Sequence, residues 1–154
     1  MGEGYAKTFE SLRPYILDRL VEVRGAIDHA YASIPDDVIR SQFDQVLERM
    51  QGYLTDGDNK KYRGFANRWV AMRMGEGFPP ENVVHAVVAL GDVVVQVARH
   101  RLGSGDDAMK FVRAATHMTF VAARMVVETL ADDLAARRRQ RKTMRYGSHG
   151  PGLK

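Results

Sequence analysis

The sequence predicts an all-α fold of five to six helices that ends in a long C-terminal helix. Apolar residues recur every three or four positions through most of the chain, which is the spacing of an amphipathic helix. Clusters of glycine and proline separate these periodic stretches. The last stretch has no glycine or proline between Asp106 and Gly147, so its helix is predicted to be longer than a compact domain of 154 residues is wide.

The composition, with 45 % apolar residues, is typical of one soluble domain with a hydrophobic core. The chain has no cysteine, which excludes disulfides, thiolate metal ligands and cysteine nucleophiles and fits a reducing cytoplasm. Its first residues do not resemble a secretory signal. The longest apolar run, residues 83–98, is interrupted by His85, Asp92 and Gln96 and is shorter than the ~20 residues of a membrane span. We therefore expect a cytoplasmic protein without a membrane span.

The formal charge of +4 is unevenly distributed. All nineteen acidic residues precede Arg137, which leaves residues 1–136 with sixteen bases and a net charge of −3. We therefore divide the chain into a helical domain, residues 1–136, and a basic helix end with a flexible tail, residues 137–154. The mildly acidic domain argues against a nucleic-acid-binding surface spread over the fold.

The first helix is predicted over residues 5–31, and the second carries apolar residues at helical spacing from Ile39 to Leu54. Pro14 interrupts the first pattern, and because proline lacks an amide donor we expect a short leading helix and a kink or restart there. Ser33 is predicted to cap the second helix, with Pro35 in its first turn and Asp36 completing a capping box.

Glycine and proline also mark the ends of the second and third helices. Gly57 is suited to the left-handed end of the second helix, and Asp58 to capping the third. The third helix should end at Gly-Glu-Gly-Phe-Pro-Pro, residues 75–80. Residues 82–102 are rich in β-branched side chains, but about 20 unbroken residues exceed a typical strand. We therefore expect a central helix that is apolar on almost all sides, with Gly91 allowing a close helix crossing.

A second capping box, Ser104 to Asp107, is predicted to open the fifth helix. If this helix runs past residue 142, it is more than 50 Å long at ~1.5 Å per residue. Its end must then project from the domain or pair with another chain. The residues expected to serve dimerisation or signalling through this helix are Met118, Met125, Leu130 and Leu134.

The five histidines are scattered along the chain with no His-x-x-x-His or Glu-x-x-His motif, so their spacing gives little support to a metal site. His85 and His117 adjoin apolar positions, and either is a candidate to ligate haem from one side. A core or boundary histidine satisfied by backbone or water explains the same pattern more simply. We therefore predict no metal and no cofactor, with haem ligation by these two residues as the alternative.

The acidic pairs do not indicate catalysis. Asp36-Asp37 and Asp106-Asp107 fall in first turns of helices, where acids interact favourably with the helix dipole. Asp132-Asp133 lies in a helix interior, where adjacent side chains point about 100° apart and cannot share a proton. The sequence Gly-Glu-Gly-Phe-Pro-Pro lacks the lysine of a phosphate-binding loop. We therefore predict that the protein is not an enzyme.

Two groups of residues are candidates for binding. Methionine adapts to different occupants, so a Met-rich aromatic group could line a ligand pocket, although ordinary core packing is the simpler explanation. This group comprises Phe65, Trp69, Met72, Met118 and Phe120. The basic end could bind nucleic acid or an acidic membrane, but it lacks interleaved aromatics, and clustered arginines also complement a helix C-terminus. Its residues are Arg137, Arg138, Arg139, Arg141, Lys142 and Arg145.

One stretch resembles a known family. A helix ends in Arg73 and a Gly-Glu-Gly turn, and the next helix opens with Pro-Pro-Glu and continues as a long apolar helix. This order resembles the N-terminal sensory domain of RsbT co-antagonist proteins of the RsbR and RsbRD type, in which an Arg-x-x-x-Gly turn precedes a Pro-Leu-Glu-Glu-like helix start. Residues 47–62, with Asp-Gly-Asp between two helices, are similar as well. The likeness extends from about residue 39 to residue 134.

The resemblance implies an all-α, globin-like domain without haem, a homodimer, and a last helix that passes signals toward a C-terminal output domain. Our leading interpretation is therefore a non-enzymatic sensory and regulatory domain of bacterial-type stress signalling, a stressosome component that acts with a protein partner. A small-ligand or haem-binding helical sensor and a nucleic-acid-binding accessory protein remain as alternatives.

Overall fold

Five α-helices and one 3₁₀ turn make up the described part of the chain. The computed structural model describes residues 3–57 and 59–147. In order, the elements are α1 (Glu3–Ile27), the 3₁₀ turn (His29–Tyr31), α2 (Asp36–Asp56), α3 (Asn59–Gly75), α4 (Pro80–Leu102) and α5 (Asp106–Gly147). No strand occurs in these two ranges, so the predicted all-α class is confirmed. Gly57 ends α2 with a left-handed φ of 65°, as predicted.

Helix α1 is continuous through Pro14, so the predicted short leading helix and restart are wrong. Apolar side chains on both sides of the proline, among them Phe9, Leu12 and Ile16, are buried. Burial of several such side chains at ~1.5–3 kcal/mol each outweighs the roughly 3 kcal/mol cost of an interior proline. Arg13 also ties α1 to α2, because its Nε donates to Asp44 Oδ1 at 2.7 Å.

The two predicted capping boxes are wrong, because both helices begin later than the serines would allow. Pro35 precedes α2 with φ −57° and ψ 147° and provides no side-chain cap. Its fixed φ leads directly into the first turn, so this helix start is set by proline rather than by Ser33. At α5 the amide of Met109 donates to the carbonyl of Gly105 at 3.0 Å, which puts Gly105 rather than Ser104 at the cap. Asp58, predicted to cap α3, lies outside the described residues.

Helix α4 is the central helix, because it packs against α1, α3 and α5. The prediction of a helix rather than a strand is therefore confirmed. Within the described ranges it is also the one helix that is long and apolar enough to span a membrane. Close to half of that apolar stretch is buried inside the protein, as in a core helix. Its buried residues are Val83, Ala86, Leu90, Gly91, Val93, Val94 and Ala98.

Gly91 lies where α4 crosses α5. A Cβ atom at this position would come within 2.1 Å of Thr119 Cγ2 and 2.2 Å of Thr119 Oγ1. The Thr119 side chain is held in place, since its hydroxyl donates to the carbonyl of Ala115 at 2.9 Å. The missing side chain therefore permits the close helix crossing that the sequence predicted.

Two hydrophobic clusters fill the fold. The larger joins all five helices, with Tyr62 as the contribution of α3. The smaller lies between α3, α4 and α5 and contains Ala66, Val70, Val83, Val126 and Leu130. No polar or charged residue of the described ranges is fully buried. Helices α3, α4 and α5 therefore contribute to both clusters, α5 along its inner face.

Helix α5 extends beyond this core. It has 42 residues and is therefore about 60 Å long. Leu130 is its last buried residue, and those that follow up to Arg145 are exposed or half-buried. The predicted excess length is confirmed, and the helix continues without a break across residue 136, where the sequence analysis placed a boundary. The expected flexible tail, residues 148–154, lies outside the described residues.

We expect Gly91→Ala to destabilise the protein by about 1–3 kcal/mol, because the added methyl group forces α4 and α5 apart. Gly52→Ala is the matched control, since Gly52 also lies inside a helix but has nothing within 4 Å of the added Cβ atom. This control should gain up to about 1 kcal/mol from helix propensity. Urea unfolding followed by circular dichroism measures both changes. Equal stability of the two variants would contradict the close crossing.

Candidate functional site

A cavity of about 250 Å³ lies between α2, α3, α4 and α5. Most of its wall consists of apolar side chains from these four helices. The polar or ionisable residues on the wall are Tyr31, Gln42, Gln45, Tyr62, Arg73 and Thr119. A mostly apolar cavity with a few polar groups is the usual form of a small-molecule site.

Three of the five residues predicted to line a ligand pocket do line this cavity. They are Phe65, Trp69 and Met72, all on α3. Their spacing of four and three residues places them on one face of that helix. Opposite them, α4 contributes Ala86 and Leu90, whose small or branched side chains leave the cavity open.

The other two predicted pocket residues lie elsewhere, and for them the prediction is wrong. Met118 is buried in the larger hydrophobic cluster, and Phe120 is 67 % exposed on the surface of α5. Residues two positions apart on a helix point about 200° apart, so the two could not face one cavity together. Instead, α5 presents Thr119, Ala122 and Val126 to the cavity.

Arg73 is one of the wall residues that the pocket prediction missed. Its guanidinium carbon lies 4.9 Å from the ring centroid of Tyr31 and 5.1 Å from that of Phe78, which is cation–π geometry. Its Nη1 donates to Glu76 Oε2 at 2.9 Å. Its Nε is buried and has no hydrogen-bond partner. In the sequence, Arg73 marked only the end of a helix, because its contact with Tyr31 joins residues that are far apart in the chain.

Burial raises the pKa of both tyrosines on the cavity wall. For Tyr31 the loss of solvent is the main cause, and the nearby Arg73 guanidinium opposes it by lowering the pKa. For Tyr62 the loss of solvent is again the main cause of the raised pKa, and Tyr53 adds to it. Both hydroxyls therefore stay protonated at neutral pH and remain hydrogen-bond donors.

His85 and His117, the two candidate haem ligands, lie away from the cavity. Both side chains are exposed, and neither is part of the cavity wall. His117 lies in a shallow surface depression beside Tyr5, Lys110 and Arg113. Residues 3–57 and 59–147 contain no group of three or more side chains that could hold a metal ion. Neither histidine is positioned to ligate a group bound in this cavity.

The residues predicted to serve dimerisation or signalling through α5 fall into two sets. Met118, Met125 and Leu130 are buried in their own protein, so they cannot contact another chain while the bundle is intact. Apolar periodicity marks first the face of a helix that packs on its own core. Leu134 is 43 % exposed and is available for contact.

A second apolar stripe on α5 faces outward, on the side of the helix opposite the buried residues. Phe120, Val127 and Leu134 follow one another at intervals of seven residues, and Val127 is 50 % exposed. Met109 is also exposed. At 100° per residue these four positions lie within about 40° of one another. We call these four residues the outer stripe.

The basic segment continues the exposed part of α5. All six of its arginine and lysine side chains, at positions 137, 138, 139, 141, 142 and 145, are exposed. Arg137 Nε donates to Asp133 Oδ2 at 2.8 Å, which anchors the first of these cations one helical turn back. No acidic residue follows Asp133 in the chain. The segment therefore presents a concentrated positive charge beyond the core.

Residues 14–145 match the family described as the RsbT co-antagonist protein rsbRD N-terminal domain. The chain belongs to this family. The resemblance found in the sequence is thereby confirmed, and the match runs from Pro14 in α1 through nearly all of α5. No curated protein and no solved structure shows significant similarity to the chain. The expected likeness to globins therefore stays a prediction.

Membership in this family identifies the chain as a regulatory domain of stress signalling. The helix end at Arg73 and the Gly-Glu-Gly turn after it, on which the family resemblance rests, lie beside the cavity. Arg73, Glu76 and Phe78 form one contact group there, and Arg73 itself is part of the cavity wall. The turn on which the resemblance rests and the cavity thus meet at Arg73.

The raised pKa of Tyr62 predicts a loss of stability at alkaline pH. Below about pH 10 the folded and unfolded states both keep this proton, so Tyr62 adds no pH dependence. Above it the unfolded state releases the proton while the folded state retains it, so stability falls by up to ~1.4 kcal/mol per pH unit. Tyr62→Phe should make this fall shallower. Urea unfolding of both proteins between pH 8 and pH 11 gives the two slopes, and identical slopes would contradict the effect of burial on Tyr62.

Proposed function

We propose that this chain is a non-enzymatic, cytoplasmic module that acts as a homodimer and passes a signal through α5 to a protein partner. Family membership supports the regulatory role in stress signalling. The dimer and the route of the signal rest on α5, which extends beyond its own core and carries the outer stripe. The outer stripe is the observation that carries this proposal.

The outer stripe has the spacing of a helix-pairing seam. Apolar residues at intervals of seven keep one side of a helix turned toward a partner helix. Phe120 and Val127 are large apolar side chains at least half exposed to water, which is the usual mark of a contact surface. A second copy of the chain presents the same stripe, so two copies related by a two-fold axis bury both stripes together.

The charge of α5 limits where two copies can pair. Between residues 137 and 145 the helix carries six bases and no acid, so two such segments side by side would repel each other. Pairing is therefore confined to the part of α5 that ends near Leu134, a seam of about 40 Å from Met109. The two basic segments then diverge, and they are available to an acidic surface of a protein partner.

The same helix connects the cavity with the outer stripe. Thr119 lines the cavity, and its neighbour Phe120 belongs to the outer stripe. Val126 likewise lines the cavity, and its neighbour Val127 belongs to the outer stripe. A change in packing on the cavity side therefore shifts or rotates the side of α5 that faces the second copy. Small helix movements at subunit interfaces are an established form of signal transmission.

Replacing the stripe with charge tests this proposal. We expect the double variant Phe120→Glu, Val127→Glu to be monomeric at protein concentrations where the unchanged protein is a dimer, because two pairs of carboxylates would face each other. Analytical ultracentrifugation at about 1–100 μM measures the masses, a range that covers a weak to moderate dimer.

The control variant is Val38→Glu, which places the same charge at an exposed valine of α2. It should leave the mass unchanged, and the circular dichroism of all three proteins should agree. A monomeric unchanged protein over the whole concentration range would remove the dimer proposal. A double variant that still forms the dimer would show that another surface is used.

A further inference from the structure

We propose that the cavity is a binding site for a small carboxylate with an apolar body, and that Arg73 binds its carboxylate group. The inference does not depend on the dimer, because every wall of the cavity belongs to one chain. It rests on the shape and composition of the wall, on the unpaired donor of Arg73 and on the balance of charge around it.

The cavity sets the size of the ligand. An apolar cavity of ~150 Å³ is known to bind benzene, so a cavity of about 250 Å³ accommodates about ten non-hydrogen atoms. Small side chains, notably those of Ala66, Ala86 and Ala122, help to leave this space unfilled. The apolar wall favours a ring or a short branched chain over a sugar or nucleotide.

Arg73 provides the group that would orient the ligand. Its Nε is buried without a hydrogen-bond partner, a state that is costly for a polar group and that an acceptor atom of a ligand would relieve. The rings of Tyr31 and Phe78 hold the guanidinium in place, so little conformational freedom is lost on binding. The protonated Tyr31 hydroxyl is a second donor on the same wall.

The charge balance favours an anion. Arg73 is paired with Glu76, but the two side chains differ in solvent exposure, at 11 % for Arg73 and 46 % for Glu76. Water screens the Glu76 carboxylate more strongly than the guanidinium. The cavity therefore experiences a net positive charge from this pair, and none of the described side chains on its wall is acidic. A carboxylate fits this arrangement better than an amine or a neutral amide.

A matched pair of probes tests the inference. Cyclohexanecarboxylate and cyclohexanecarboxamide have the same shape and the same number of non-hydrogen atoms, but only the first is charged. We expect the carboxylate to bind with a Kd of about 1 mM or lower and about tenfold more tightly than the amide. Calorimetry gives both affinities. Trp69, the only tryptophan of the chain, lines the cavity, so its fluorescence gives a second measurement.

Two arginine variants test which residue recognises the charge. Arg73→Gln should reduce the preference for the carboxylate to about twofold or less, because its charge and its Nε are lost. Arg24→Gln is the matched control: Arg24 also has a buried Nε without a partner and is also paired with an acid, but it lies outside the cavity wall. This control should keep the tenfold preference. If both variants lose it equally, the assignment to Arg73 is overturned.

Filling the cavity tests where the ligand binds. Ala122→Leu should abolish binding of both probes, because the added side chain occupies the cavity. If that variant does not fold, the smaller change Ala86→Val should still weaken both probes about tenfold. The monomeric double variant of α5 should still bind the carboxylate and still prefer it to the amide, which separates this inference from the dimer.

Three results would overturn the inference: no binding at about 10 mM probe, equal affinity for acid and amide, or binding that survives Ala122→Leu.

Discussion

The close contact between α4 and α5 is the constraint on which the rest of the structure depends. At Gly91 the backbone of α4 comes so near to Thr119 that a Cβ atom would not fit. Because α5 is held there, one of its sides completes two hydrophobic clusters and one wall of the cavity. Its opposite side is turned to water along the outer stripe. The position of the candidate site and the surface for a second copy thus follow from a single helix crossing.

The ends of the helices were predictable where the backbone conformation of a single residue determines them. Gly57 adopts the positive φ expected at a helix end, and Pro80 opens α4 as a proline at a first helical position should. Pro14 was not predictable in this way, because the packing of α1 on distant parts of the chain outweighs the local cost of a proline. Ser33 and Ser104 could both have capped a helix, but only the backbone path shows which residue begins the helix.

The cavity was predictable in part for the same reason. Phe65, Trp69 and Met72 share one face of α3, which helical spacing shows directly. Met118 and Phe120 were misplaced because spacing identifies residues on a common face but not how a helix is rotated against its neighbours. Phe120 is apolar and exposed, so composition alone could not assign it to the surface. Arg73 reaches the cavity through contacts with Tyr31 that no local pattern contains.

Helix α5 has the cavity and the outer stripe on neighbouring residues, and this arrangement has a thermodynamic consequence. If occupancy of the cavity changes the affinity of two copies for each other, pairing must change the affinity for the occupant by the same factor. A ligand that strengthens pairing is therefore held more tightly by the pair than by the single chain. The abundance of the protein would then set the ligand concentration at which the response begins, so a cell that makes more of it would respond to a weaker stimulus.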